Sequence, residues 1–340
     1  MNFDLQSIWF CLIGVLLTGY VVLDGFDLGV GALHLFARDD RDRRLLLNSI
    51  GPVWDGNEVW LITAGGALFA AFPEVYATVF SGFYTAFILL LFSLIFRAVA
   101  IEFRSKQTMP WWRTFWDTSF CVASLLATVL IGVAFGAIAW GIALNEQGRY
   151  FGGLRPLIHP YTLAVALMAV SLFMMHGAIY LAVKTEGSLQ DRARTWARRA
   201  WFAVMTCYLL TTLGTFYFVP HMVTRFYEQL WLCVIPVGTV LALRGLGILL
   251  VPGKEFPAFL CSCGVIVLLM TVYGIGMYPN LVISNPDPVN NLTIYNSASS
   301  EKTLGIMLVI ACLGVPLVLA YTSSVYWIFR GKVRLDDTSY

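Results

Sequence analysis

Apolar residues fill this chain in long blocks separated by short polar connections, and the block length decides the fold class. A helix needs about twenty apolar residues to cross a bilayer. Windows of that size predict nine spans, at Ile8–Phe36, Leu46–Phe72, Thr78–Phe103, Phe115–Ala143, Tyr161–Val183, Ala200–Val219, Leu230–Leu250, Phe256–Tyr278 and Thr303–Phe329. In lipid an open chain satisfies its backbone only as helix, so the pattern predicts an all-α polytopic membrane protein. Short connections imply antiparallel neighbours, as in helical bundles. The second span has the weakest signal, because Asp55, Gly56, Asn57 and Glu58 interrupt it; the apolar run from Val59 to Phe72 carries it. The longest outer connection, Pro279–Lys302, contains the sequon pattern Asn291-Leu292-Thr293. No stretch remains for a soluble domain, so residues 1–340 read as one integral-membrane domain.

Four carboxylates break the apolar pattern. Asp24 and Asp27 lie in the first span, Asp55 and Glu58 in the second. A carboxylate at mid-bilayer costs roughly 2.5–3.5 kcal/mol even on the lenient insertion scale, so such groups tend to be functional. Each pair is spaced i, i+3, which places its members on one helix face. Counting from Phe36 and Leu46, Asp27 and Asp55 both lie about 14 Å from the inner end of their spans, in one layer. Arg97 of the third span sits about 9 Å from its own inner end, within side-chain reach of that layer, while Glu102 is nearer the surface. The layer reads as a proton or cation path. An architectural reading stands beside it, in which Arg97 neutralises an acid and the others cap helix contacts. Several carboxylates with one arginine leave uncompensated groups, which must hold protons or face water, and this favours function.

Composition narrows the class. Hydrophobic residues make up 59% and charged residues 12% of the 340 positions, about half the charged share of a soluble domain. The net charge of +2 is too small to attract nucleic acid. The first span lacks a basic flank and a small-residue cleavage site, so it reads as a retained anchor. Arginine and lysine cluster after the first, third, fifth and ninth spans, Lys254 follows the seventh, and the intervening connections carry at most two. The positive-inside rule then puts the N-terminus outside and the C-terminus in the cytoplasm. The seven cysteines lie almost entirely in apolar runs and read as packing residues; no spacing suits a metal site.

His176 is the one histidine deep in a span, and a hydrogen bond to a neighbouring helix explains it better than axial heme ligation. Trp54 and Trp60 flank the acidic turn as packing or partner-contact residues. The glycines of Asp24-Gly25-Phe26-Asp27-Leu28-Gly29 and of Ala64-Gly65-Gly66-Ala67 suit close helix contacts.

Trp54-Asp55-Gly56-Asn57-Glu58-Val59-Trp60 with its continuation to Ala71 resembles subunit II of cytochrome bd-type quinol oxidases. Asp24-Gly25-Phe26-Asp27-Leu28-Gly29, Ser81-Gly82-Phe83-Tyr84 and Phe96-Arg97 match the same family, and the first 110 residues carry most of the likeness. The resemblance implies nine helices, as two four-helix bundles plus one peripheral helix. It implies one subunit of an electrogenic quinol:oxygen oxidoreductase of the bacterial inner membrane, which reduces oxygen to water and is not catalytic alone. Two b-type hemes and one heme d, with quinol as substrate, are then expected in the partner, subunit I; this chain binds neither cofactor nor metal. Membrane lipid and a small single-helix subunit are further expected partners. By the same resemblance Asp55 matches the family's proton-path aspartate. Asp24, Asp27, Glu58 and Glu102 join it as proton-path candidates, and Arg97, Trp54 and Trp60 are structural or subunit-contact residues. Some relatives have Gln where Glu58 stands. A proton- or sodium-coupled secondary transporter is the alternative from the acidic layer alone, though such proteins show interrupted helices at matching points of two halves.

Overall fold

The computed structural model describes residues 4–153, 155–285 and 287–335; the chain end expected in the cytoplasm lies outside them. Twelve α-helices make up the described fold: α1 (Leu5–Leu33), α2 (Asp40–Ile50), α3 (Trp54–Ala71), α4 (Pro73–Gly82), α5 (Tyr84–Phe103), α6 (Pro110–Trp140), α7 (Pro160–Lys184), α8 (Gly187–Phe218), α9 (His221–Glu228), α10 (Val234–Leu249), α11 (Glu255–Met277) and α12 (Glu301–Ile328). Their starts follow local chemistry. Asp4 caps α1 by accepting the Ser7 N–H at 2.7 Å, and Asp39 caps α2 from Asp42 at 2.8 Å. Proline opens α4, α6 and α7, where its missing N–H costs nothing.

Eight described helices, α1, α5–α8 and α10–α12 with their flanking turns, are long and apolar enough to cross a membrane. The difference from nine arises in the second predicted span. It is two helices, α2 and α3, separated by a turn at residues 51–53. Pro52 has no N–H to donate and so cannot continue the α2 hydrogen-bond ladder; Gly51 is still helical, and the chain leaves helical geometry at Val53. A second break, at Phe83, divides α4 from α5.

The first helix is the hub. It packs on α3, α6, α7 and α11 and touches α12. Its contact with α7 is backbone to backbone: a Cβ on Gly29 would lie 1.9 Å from the Phe173 carbonyl oxygen, and one on Gly177 would lie 2.6 Å from Gly29. One group forms around α1, α3, α5 and α6, and a second around α7, α8, α10 and α11. The twelfth helix stays at the periphery, with Leu304 its one buried residue.

Polar ties close the two ends. At the end rich in arginine, Arg192 pairs with Asp42 and Arg194 with Glu255. There Lys184 donates to the carbonyls of Phe329 and Gly331 beyond α12, and Lys332 donates to those of Ala182 and Thr185 at the end of α7. Each lysine thus caps the other's helix. At the opposite end the connection after α11 forms a hairpin of β1 (Asn280–Val282) and β2 (Leu292–Thr293). Asn291, the sequon asparagine, is used inside it: its Oδ1 accepts the Ser284 N–H at 2.7 Å.

Candidate functional site

The acids of the first span assemble with α3 and α5 into one sealed layer. Asp24, Asp27 and Arg97 have no exposed surface, and Asn57 is 1% exposed. Arg97 Nη2 donates to Asp24 Oδ1 at 2.7 Å and to Glu58 Oε2 at 2.9 Å. Asn57 Nδ2 donates to Asp27 Oδ2 at 2.7 Å and to the Leu23 carbonyl at 3.2 Å. Tyr326, from α12, donates to Asn57 Oδ1 at 2.9 Å. Two carboxyls therefore share the guanidinium and a third, Asp27, is held by an amide, while Asp24 Oδ2 and Asp27 Oδ1 have no partner among protein atoms. Fully ionised, the layer would carry one cation against three anions, a balance that buried groups do not tolerate without protons or water.

Asp55 departs from this arrangement. It lies in the first turn of α3 and is exposed, although its pair partner Glu58 is half-buried against Arg97. Because of the break at residues 51–53, its depth cannot be counted from Leu46. Its level still matches the layer, since it precedes Asn57 by two residues, about 3 Å of helical rise. Its side chain leaves the chain's own core. Glu102 is half-buried near the end of α5, away from the Asp24–Asp27 pair, and is engaged by another group of the protein.

Arg97 is fully buried and ties α5 to Asp24 of α1 and Glu58 of α3. Trp60 packs over α1, because the missing Cβ of Gly19 would lie 2.4 Å from its ring; Trp54 is half-buried. Gly65 and Gly66 have nothing within 4 Å of a notional Cβ. They make no close helix contact within this chain and face a groove. That groove, of about 1070 Å³, runs between α1, α3, α4, α5, α6 and α11 and is lined almost wholly by apolar side chains.

His176 has both ring nitrogens engaged: Nε2 reaches the Val22 carbonyl at 3.0 Å and Nδ1 the Ser262 hydroxyl at 2.7 Å, while the ring stacks on Phe259. Such a histidine has no lone pair to offer an iron, and no group of three metal-ligating side chains occurs among the described residues.

A second buried cluster escaped the sequence reading. Asp117 of α6, 1% exposed, accepts from His34 Nε2 at 2.6 Å, Arg43 Nη1 at 2.8 Å and Arg104 Nε at 2.5 Å. Arg104 also donates to Asp40 at 2.7 Å, and Arg113 reaches Asp40 at 3.1 Å. In the sequence the arginines register only as orientation charges, and nothing marks Asp117. The available signal was His34, seven residues beyond Asp27 and thus on the same face of α1.

Residues 5–329 match the family described as cytochrome bd terminal oxidase subunit II. The cytochrome bd-I ubiquinol oxidase subunit 2 of Escherichia coli K12 is 36% identical, over 98% of this chain and 96% of that one. The cytochrome bd ubiquinol oxidase subunit 2 of Bacillus subtilis 168 is 31% identical, over 97% of both chains. Among solved structures, a chain of the bd oxidase from Geobacillus thermodenitrificans has the same fold, with a TM-score of 0.78 over 96% of this chain and 98% of that one at 20% identity.

Proposed function

The chain belongs to the cytochrome bd terminal oxidase subunit II family, and from that premise we propose that it delivers protons to a heme-bearing partner. As subunit II it is part of a membrane quinol oxidase, an oxidoreductase complex. Nothing in the comparisons favours a self-sufficient transporter. The partner is subunit I, to which we assign two b-type hemes, one heme d and the quinol site. The complex belongs in the bacterial inner membrane, with the arginine-rich end of this chain toward the cytoplasm and its N-terminus outside. The subunit forms one integral-membrane domain, and a small single-helix subunit and lipid complete its surroundings.

The observation that carries the proton role is the layer formed by the buried Asp24 and Asp27 and the half-buried Glu58 beside Arg97 and Asn57. Reduction of oxygen to water consumes one proton for each electron, and these must cross dry protein from the cytoplasm. Carboxyls outnumbering their cation can take up and release protons without leaving a charge stranded in lipid. Asp55, exposed on α3 at the level of this layer, passes protons across the subunit boundary. Glu102 lies on the cytoplasmic approach. Trp54 and Trp60 wall the same turn.

Asp55→Asn keeps the shape and hydrogen-bonding capacity but cannot exchange a proton. The purified complex is expected to retain its hemes, consume oxygen at least fivefold more slowly and keep a quinol KM near that of the parent. Full turnover with normal heme removes Asp55 from the path; lost heme makes it a structural residue.

A further inference from the structure

The face of α1 that carries the acids continues to the arginine-rich end. Asp24, Asp27, Gly31 and His34 follow one another at steps of three, four and three residues, which keeps them on one stripe of the helix. Along this stripe four buried side-chain atoms have no partner among the protein's own atoms: Asp24 Oδ2, Asp27 Oδ1, Ser124 Oγ and His34 Nδ1. Buried polar atoms are nearly always hydrogen-bonded, and where protein supplies no partner, water does.

Ser124 belongs to α6, and it joins the stripe because position 31 is glycine. A Cβ there would lie 2.0 Å from Ser124 Oγ. Along the axis Asp27 and His34 are about 10 Å apart, too far for one bridging water. Gly31 divides that rise into steps of about 6 and 4.5 Å. Two hydrogen bonds end to end cover about 5.5 Å, so one water on either side of Ser124 Oγ would match each of these axial steps.

The outer end of the stripe is fitted for proton uptake. His34 is fully buried, and its Nε2 donates to the Asp117 carboxylate at 2.6 Å. That bond leaves Nδ1 as the nitrogen with a lone pair, and the carboxylate steadies the ring when it is charged. Asp117 is in turn fixed by Arg43, whose side chain is 27% exposed, and by Arg104, which binds the half-exposed Asp40. The cluster thus joins the aqueous end to the stripe.

We propose that His34, Ser124 and Asp27 form the intake through which protons reach the acidic layer, His34 being the acceptor at the mouth and Ser124 the relay. This rests on the acidic layer being the proton route argued above. His34 Nδ1 takes up a proton delivered past the Asp117 cluster from the arginine-rich end, giving an imidazolium whose Nε2–H stays on Asp117, and then passes the Nδ1 proton to water on its inner side. The Ser124 hydroxyl accepts one proton and donates its own, and the Asp27 carboxylate receives the proton passed inward. Only N–H and O–H bonds form and break, and no electron moves.

The test is turnover of the complex carrying Ser124→Ala or His34→Gln, with heme content, quinol KM and solvent deuterium isotope effect measured on the same samples. Glutamine keeps a donor for Asp117 but cannot take up a proton. Both variants are expected to retain heme and KM, to turn over at least fivefold more slowly and to show a larger isotope effect. Turnover within twofold of the parent in Ser124→Ala, or loss of heme in both variants, overturns the proposal. Asp27→Asn, measured in parallel, separates the two readings. If it alone is slow, the layer stands and the intake falls; if all three are fully active, the layer falls as well.

Discussion

Arg97 is the residue on which the acidic layer depends. Its guanidinium is fully buried, it bonds Asp24 and Glu58 through one nitrogen, and its Nε and Nη1 have no partner among protein atoms. Removing one member of a buried ion pair costs about 3–5 kcal/mol, because the remaining charge is left uncompensated. Arg97→Met, which keeps most of the volume, is therefore expected to lower the thermal midpoint and the heme-replete yield of the complex. Adding Asp24→Asn to that variant removes a stranded carboxylate, so the pair should be more stable than Arg97→Met alone. A thermal melt of the four proteins of this cycle measures the coupling directly; strictly additive effects would show that the bridge carries no energy. Asn57 is the less obvious residue. Its amide is oriented by the Tyr326 hydroxyl on one side and Asp27 on the other, and it sits between two carboxylates in sequence that drew attention first.

At the scale of elements, glycine position separates contacts inside the chain from surfaces turned outward. Gly29 meets the α7 backbone, so even a methyl group forces α1 and α7 apart. Overpacking of this kind typically costs about 1–3 kcal/mol, and more where the obstacle is backbone. Gly29→Ala is expected to reduce the amount of folded chain and to lower its melting temperature in detergent; a midpoint within a degree of the parent would mean that the crossing is looser than the structure has it. Much of this level was legible in advance. Eight spans, the shared face of Asp24 and Asp27, and the reach of Arg97 follow from hydropathy, from the helical period and from the rise per residue. The break before α3 was also written in the chain, as Gly51-Pro52, but the apolar residues on either side masked it. The Asp117 cluster was illegible for a different reason: its members come from α2, α6 and the turns that follow α1 and α5, and only tertiary packing brings them together. Asp55 shows the limit of counting residues from a span end, since a turn resets the count.

On the scale of the whole molecule, two elements are unfinished in the isolated chain. α12 buries only Leu304 and is held by the reciprocal lysines, Tyr326 and contacts at its start. α3 buries only Asn57, Ala64 and Ala71, which leaves Asp55, Ile62 and Gly66 outward. A helix with polar and small residues exposed at membrane depth gains little from lipid, whereas small residues favour close approach of another helix. This is the face expected to meet subunit I. A methyl group at Gly66 has open space within this chain, so Gly66→Ala should leave the subunit folded. Alanine is also the better helix former by about 1 kcal/mol, which removes local destabilisation as an explanation for any loss. If the partner's helices approach here, Gly66→Leu should cut the fraction of subunit I that co-purifies with this chain several-fold, with Gly66→Ala between it and the parent. Leu317→Ala, on the outer side of α12, provides the comparison: Leu317 is 72% exposed, and its loss from a lipid-facing surface should leave assembly unchanged. Equal recovery of subunit I with Gly66→Leu and with the parent would move the contact surface off α3 and leave Asp55 without a route to the hemes.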